Sequence, residues 1–182
     1  MDPTLAPEFE KRWNRFARPV GQSWRVDETY VKIKGRWTYL YRAVDKEGKT
    51  IDFLLRAKRD VAAAKAFFRR AFMRQGRLPQ KITLDGYQAS HRAVKEALGE
   101  HPEGNQCDIR SSKYLNNRIE QDHRSVKLRL APMLGLKNFR QAATTIAGVE
   151  LMHRIRKSQF KLGKFRIKNK TAPEIWNAVL AA

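Results

Sequence analysis

Three carboxylates, Asp27, Asp85 and Glu120, stand in the contexts WRVDETYV, ITLDGYQ and NNRIEQDHR. The first interrupts a β-branched and aromatic run, where an acid is a poor strand former and an ionised carboxylate is costly to bury. The second ends a short apolar run and is followed at once by Gly86, where a strand gives way to a turn. The third belongs to a set, Glu120, His123, Arg124 and Lys127, spaced at i, i+3, i+4 and i+7 on one side of a helix. Each alone has an ordinary reading: an acid paired with an arginine, an Asp-Gly turn, a solvated helix residue. Brought together, three carboxylates raise one another's pKa unless cations intervene. Hard divalent ions with oxygen ligands, Mg²⁺ or Mn²⁺, suit such a set. Two of them about 3.5–4 Å apart stabilise both the attacking and the leaving oxygen at a phosphodiester.

The elements that must position these acids follow from periodicity. Residues 24–34, 37–44 and 50–57 read as strands joined at Gly35 and at DKEGK (45–49), an antiparallel meander in which the first strand becomes central. Asp60 then caps a helix in which Val61, Ala64, Phe67, Phe68, Ala71 and Phe72 recur at helical spacing, and Gly76 stops it. QKITLD (80–85) reads as a short buried strand ending on Asp85, residues 87–99 as a helix, and NQCDIR (105–110) as a last short strand. A further helix is expected from about Leu115 to Arg129. Asn138 caps a long one, and Thr171 to Glu174 has the spacing of a capping box. The order β-β-β-α-β-α-β-α-α describes an α/β fold, a mixed sheet flanked by helices. Trp24, Trp37, Tyr39, Tyr41, Phe67, Phe68 and Phe72 read as core.

Charge narrows the partner. Lys and Arg number 38 against 18 Asp and Glu, a formal net charge of +20, which calls for a polyanion, either nucleic acid or an anionic membrane. No apolar run approaches the roughly 20 residues that span a bilayer, and no signal-peptide core follows Met1. DNA is therefore the expected partner, and a membrane is not. The single cysteine, Cys107, excludes an internal disulfide, and the four histidines show no zinc spacing, so a reducing cytoplasm is expected. RSSKYLNNR (110–118), with Lys113, Tyr114 and Asn117, suits phosphate and base contacts and equally suits a solvated loop. RIRKSQFKLGKFRIKNK (154–170), with Phe160 and Phe165 interleaved, reads as a salt-sensitive DNA clamp or a plain basic tail.

The three acidic blocks together resemble bacterial insertion-sequence transposases of the DDE type, most closely those of insertion-sequence family six. The matching stretches are WRVDETYVKIKGRWTYLYRAVDKEGKTIDFLL, ITLDGYQASHRAV and YLNNRIEQDHRSVKLRL, within about residues 8–160. Thirty-four residues separate Asp85 from Glu120, the interval of this group, and Lys127 stands where such enzymes carry a basic residue seven positions after the glutamate. The resemblance implies an RNase H-like fold of the retroviral integrase superfamily, with a five-stranded mixed sheet. It implies that Asp27, Asp85 and Glu120 are the catalytic residues and hold two Mg²⁺ (or Mn²⁺) ions. The implied activity is that of a polynucleotidyl transferase: water frees a 3′-hydroxyl at the element's terminal inverted repeat, and that hydroxyl attacks target DNA. No covalent protein–DNA intermediate forms, and replicons are joined into cointegrates.

Lys127 is the expected contact to terminal DNA, with Arg124, His123, Lys113 and Asn117 as further DNA-binding candidates. His123, beside Glu120, orients water, binds a phosphate, or is simply a polar helix residue. A homodimer or higher oligomer in a bacterial cytoplasm is also implied. Family members carry an N-terminal helix-turn-helix region. Residues 1–22 are accordingly expected to be the remnant of a linker to a missing region, with 23–160 as the core and its following helix. Residues 161–182 are then a basic C-terminal segment with a short helix. Two alternatives stand beside this expectation: a truncated, non-catalytic remnant that binds DNA or dimerises with a full-length transposase, and a nuclease that hydrolyses without joining.

Overall fold

The computed structural model describes residues 11–12, 14–112, 117–130, 136–163 and 171–181. Five strands, β1 (Ser23–Ile33), β2 (Arg36–Asp45), β3 (Thr50–Arg56), β4 (Lys81–Leu84) and β5 (Asp108–Ser111), form one mixed sheet in the order β3-β2-β1-β4-β5. The β1–β2 link is Lys34-Gly35, both with positive φ (47° and 76°), the backbone that a tight hairpin matched to strand twist requires. The β2–β3 link is tied by Asp45, whose carboxylate accepts from the backbone N–H groups of Lys49 and Gly21, both at 2.8 Å. Strands β4 and β5 run parallel to β1, and β4 pairs with β1 only over Ser23 to Arg25. From Val26 to Lys32 no further strand takes that edge of β1 among the described residues.

Helices α1 (Val61–Gln75) and α2 (Gln88–Leu98) cover one face. There Trp24, Val26, Tyr41 and Ala43 pack with Phe67, Phe68, Phe72, Val94 and Leu98 into the main core. Asp60 caps α1 by accepting from Ala63 N–H at 2.7 Å, and Gly76 closes it in the left-handed region at φ 64°. Helix α3 (Asn117–Leu130) lies on the other face through Ile119, His123 and Val126, all buried and at helical spacing.

The chain divides into two compact units, residues 20–137, which hold the sheet, and residues 1–19 with 138–182. This differs from the expected boundaries at 22 and 160. Helix α4 (Phe139–Arg156), capped by Asn138, turns Leu151 and Ile155 onto Phe160 and onto Ile175, Trp176 and Val179 of α5 (Ala172–Leu180). The N-terminal segment belongs to that unit too, since Arg18 N–H donates to Gln159 O at 2.8 Å and Lys161 N–H to Phe16 O at 2.7 Å.

Other expectations shift locally. Asp85 sits one residue past β4 rather than ending it, and β5 begins only at Asp108. The residues before β5 form a 3₁₀ turn at Gly104–Gln106, where a Cβ on Gly104 would stand 2.0 Å from the Leu98 carbonyl oxygen. Phe160 is core, at 2 % exposure, with Arg154 stacked on its ring, while Phe165 lies outside the described residues. Trp37 is not core, because the helices stop short of the hairpin tip. No helix among the described residues is long and apolar enough to cross a membrane.

Candidate active site

Strand β1 changes its covered face half-way along. Trp24 and Val26 are buried on the α1–α2 side, Thr29, Val31 and Ile33 on the other, and the change falls at Asp27 and Glu28. Successive side chains of a strand point to opposite faces, so each acid emerges where the cover on its own side is incomplete. Both therefore reach a groove of about 490 Å³ whose walls include Asp27, Glu28, Glu120, His123, Arg124 and Lys127.

Asp85 enters from the turn after β4, the region past a strand's carboxyl end where open α/β sheets bind ligands. Its carboxylate accepts from Tyr87 N–H at 3.1 Å, and His91 Nε2 lies 2.7 Å from its carbonyl oxygen. One carboxylate oxygen from each of Asp27, Glu28 and Asp85 lies within 4.8 Å of the others. Glu120 is exposed on the first turn of α3, in the same groove. Burial first, then the negative charges of Glu28, Asp85 and Glu120, push the Asp27 carboxyl up to about 7 against the pull of the Glu28 N–H. An all-oxygen cluster of three acids is a donor set that fits a hard divalent cation.

Glu28, although its side chain leaves the opposite face of β1 from Asp27, also stands in this cluster. Its Oε1 accepts from Arg59 Nε at 2.6 Å, and the Arg59 guanidinium lies 3.7 Å over the Tyr87 ring. Burial still outweighs Arg59 and raises the Glu28 carboxyl.

His123 is in the buried stripe of α3 rather than on its exposed rim, with Nδ1 3.7 Å from Asp27 Oδ2. Burial, helped by the nearby Arg42 cation, pushes its ring down to about 3, so it is neutral near pH 7 and makes no ion pair. Arg42 is fully buried directly across the β1–β2 ladder from Asp27, and its Nη2 donates to Asp122 Oδ2 at 2.6 Å. Arg124 and Lys127 are exposed along the groove, and Asn117 is exposed at the start of α3. Lys113, like Tyr114, lies outside the described residues.

The structure thus brings Asp27 and Asp85 together with Glu28, while Glu120 lines the groove beside Asp27 without joining that cluster. The supports that sequence reading missed are Glu28, Arg42, Arg59, Tyr87 and Asp122. Only the doubled acid of DET and the Asp122-His123 pair next to Glu120 offered a signal; the partners come from elsewhere in the chain.

Residues 21–159 match a family model described as a DDE domain. A Staphylococcus aureus transposase for the insertion sequence-like element IS431mec is 38% identical over 152 residues, 84% of this chain and 66% of that relative. The transposase of element IS257 in transposon Tn4003, also from Staphylococcus aureus, matches to the same extent. The chain spans 66% of the length of these curated relatives. Two solved structures show the fold. The HTLV-2 integrase catalytic core in complex with magnesium has TM-score 0.52 and 16% identity, covering 84% of this chain and 93% of that one. The catalytic core of BIV integrase has TM-score 0.52 and 19% identity, covering 72% and 83%. The sheet therefore has the RNase H-like fold that these integrase cores share.

Proposed function

The chain belongs to the DDE-domain family of insertion-sequence transposases, and from that premise we propose that it cleaves the 3′ ends of an insertion sequence and joins them to target DNA. The observation that carries this reading is Asp27, half-buried, within reach of Asp85 and lining, with Glu120, a groove rimmed by Arg124 and Lys127. Asp27, Asp85 and Glu120 are the proposed ligands of two Mg²⁺ or Mn²⁺ ions. What such ions supply when bound is charge neutralisation at the attacking and leaving oxygens of the phosphodiester.

The chain's own residues do the rest. Asp27 is held by the Glu28 N–H at 2.9 Å, and the neutral His123 ring packs beside it and adds no positive charge to the site. Arg42 and Asp122 pin α3 to β2 directly behind the site, which fixes how far Glu120 stands from Asp27. Arg59 restrains Glu28 and, through Tyr87, steadies the turn that carries Asp85. Lys127 and Arg124 grip phosphates of the terminal inverted repeat, with Asn117 and Lys113 as further candidate contacts. Two element ends must meet, so a homodimer or higher assembly in the bacterial cytoplasm is the proposed working state.

The deciding experiment is joining of a pre-cleaved terminal-repeat oligonucleotide to a plasmid in Mg²⁺ or Mn²⁺. Asp27→Asn, Asp85→Asn and Glu120→Gln each abolish joining and leave DNA binding nearly unchanged. If the wild-type protein binds DNA but joins nothing, the non-catalytic DNA-binding reading replaces this one; hydrolysis without joining indicates a nuclease.

A further inference from the structure

We propose that the uncovered half of the β1–β2–β3 face is a stacking platform for an unstacked nucleotide of the DNA strand that leaves the carboxylate groove. The helices bury this face fully only as far as Tyr41, which stacks on Phe67 with ring centroids 6.0 Å apart, and Tyr39 is half-buried at the edge of that core. Beyond it the same face carries Tyr39 and Trp37 on β2, Tyr30 and Lys32 on β1, and Arg56 on β3 opposite Tyr39. Tyr30 is 46 % and Trp37 60 % exposed. Their rings form one cluster, Tyr30 lying 5.6 Å from Tyr39 and 6.1 Å from Trp37 between centroids, with Lys32 Nζ 5.5 Å over Trp37.

Cross-strand aromatic pairs steady a hairpin, which accounts for Tyr30 against Tyr39. It does not account for a tryptophan left mostly in water at the tip. Rings on a sheet, interleaved with cations and with the Arg59-paired Glu28 as the neighbouring acid, match a base face and its phosphate. The platform is also continuous with the site, because Tyr30 lines the groove that holds Asp27 and Glu120. The platform rests on the proposal that DNA occupies that groove.

The test reads binding without metal or chemistry. A short labelled oligothymidylate and a blunt duplex are titrated in EDTA against the full chain, Trp37→Ala, Trp37→Phe and Tyr30→Ala, with circular dichroism melts of each. Stacking predicts that Trp37→Ala weakens single-strand binding by about tenfold and duplex binding little, while Trp37→Phe keeps most of it. The oligonucleotide also quenches a share of wild-type tryptophan emission that Trp37→Phe no longer shows. Equal losses for both DNA forms reduce the face to a phosphate patch, and no loss removes it; either overturns the proposal. So does a change of oligomeric state in Trp37→Ala, which makes the face an interface between copies. Wild-type protein that stacks single strands but joins no ends sinks the transposase reading alone. Joining without any dependence on Trp37 sinks the platform alone.

Discussion

At the scale of single residues the site is a cluster of mutually repelling carboxylates. Asp27 ionises near pH 7 when folded against an ordinary value of 3.8, so the fold favours its protonated form. That contribution to stability is fully present below about pH 4 and is lost as pH rises through 7, on the order of 4 kcal/mol. Metal-free protein is therefore expected to melt at lower urea as pH rises from 5 to 8, and Asp27→Asn to flatten that slope while raising stability at pH 8. Urea titrations in EDTA check this; an identical slope in both proteins would sink the electrostatic account. Saturating Mn²⁺ also flattens the wild-type slope, because it stabilises the ionised form that EDTA leaves uncompensated. Glu28 separates two geometries: if Glu28→Gln lowers Mn²⁺ affinity as much as Glu120→Gln does, measured by calorimetry, the cation site has four acids rather than three.

At the scale of elements, the distance between Glu120 and Asp27 is set by how α3 seats on the sheet. Ile119, His123 and Val126 supply the buried stripe, and Arg42 with Asp122 supplies an ion pair behind the site. Breaking a buried pair from one side costs about 3–5 kcal/mol, while replacing both partners by apolar groups costs much less. Asp122→Leu is thus expected to destabilise by about 3 kcal/mol and Arg42→Met with Asp122→Leu by considerably less, as a double-mutant cycle of urea midpoints would report. A second element-scale constraint lies before β5. A side chain on Gly104 meets the Leu98 carbonyl, so Gly104→Ala should cost about 2–3 kcal/mol in thermal melts, the expense of overpacking a site with no room to relax. Asp60→Ala removes an N-cap and should cost about 1 kcal/mol.

At the scale of the whole molecule, a net charge of +20 governs association before any acid acts. DNA affinity should fall steeply with salt. Lys127→Ala should make the log–log slope shallower by about one unit, because one phosphate is then no longer neutralised and its counterion stays on the DNA. The unchanged slope of Lys32→Ala on duplex DNA, against a reduced affinity for single strands, would tie that charge to the sheet face rather than to the groove. The two compact units, residues 20–137 and residues 1–19 with 138–182, also make a testable pair. Limited proteolysis should leave residues 20–137 as the larger resistant fragment.

The sequence by itself determined the local signals and singled out three acids as candidates. The order of the strands, the Asp60 and Asn138 caps, the Gly76 stop, the turn at Gly35 and the DKEGK turn are short-range physics, and each appears in the fold, although strand ends shift, as at Asp85 and Asp108. Asp27, Asp85 and Glu120 were legible because an acid in a strand, at a strand's end and on a helix rim is locally costly or locally conspicuous. Tertiary structure decided what depends on pairing across distance. It opened the side chains of both Asp27 and Glu28 onto one groove because the cover of β1 changes sides there. It buried His123 and set it neutral, because α3 turns that flank to the sheet. It joined Arg42 to Asp122 across 80 residues of chain, and it left Trp37 in solvent because α1 and α2 end before the hairpin tip does. None of these follows from composition or period, since each is a choice between two faces that only the packing of the helices makes.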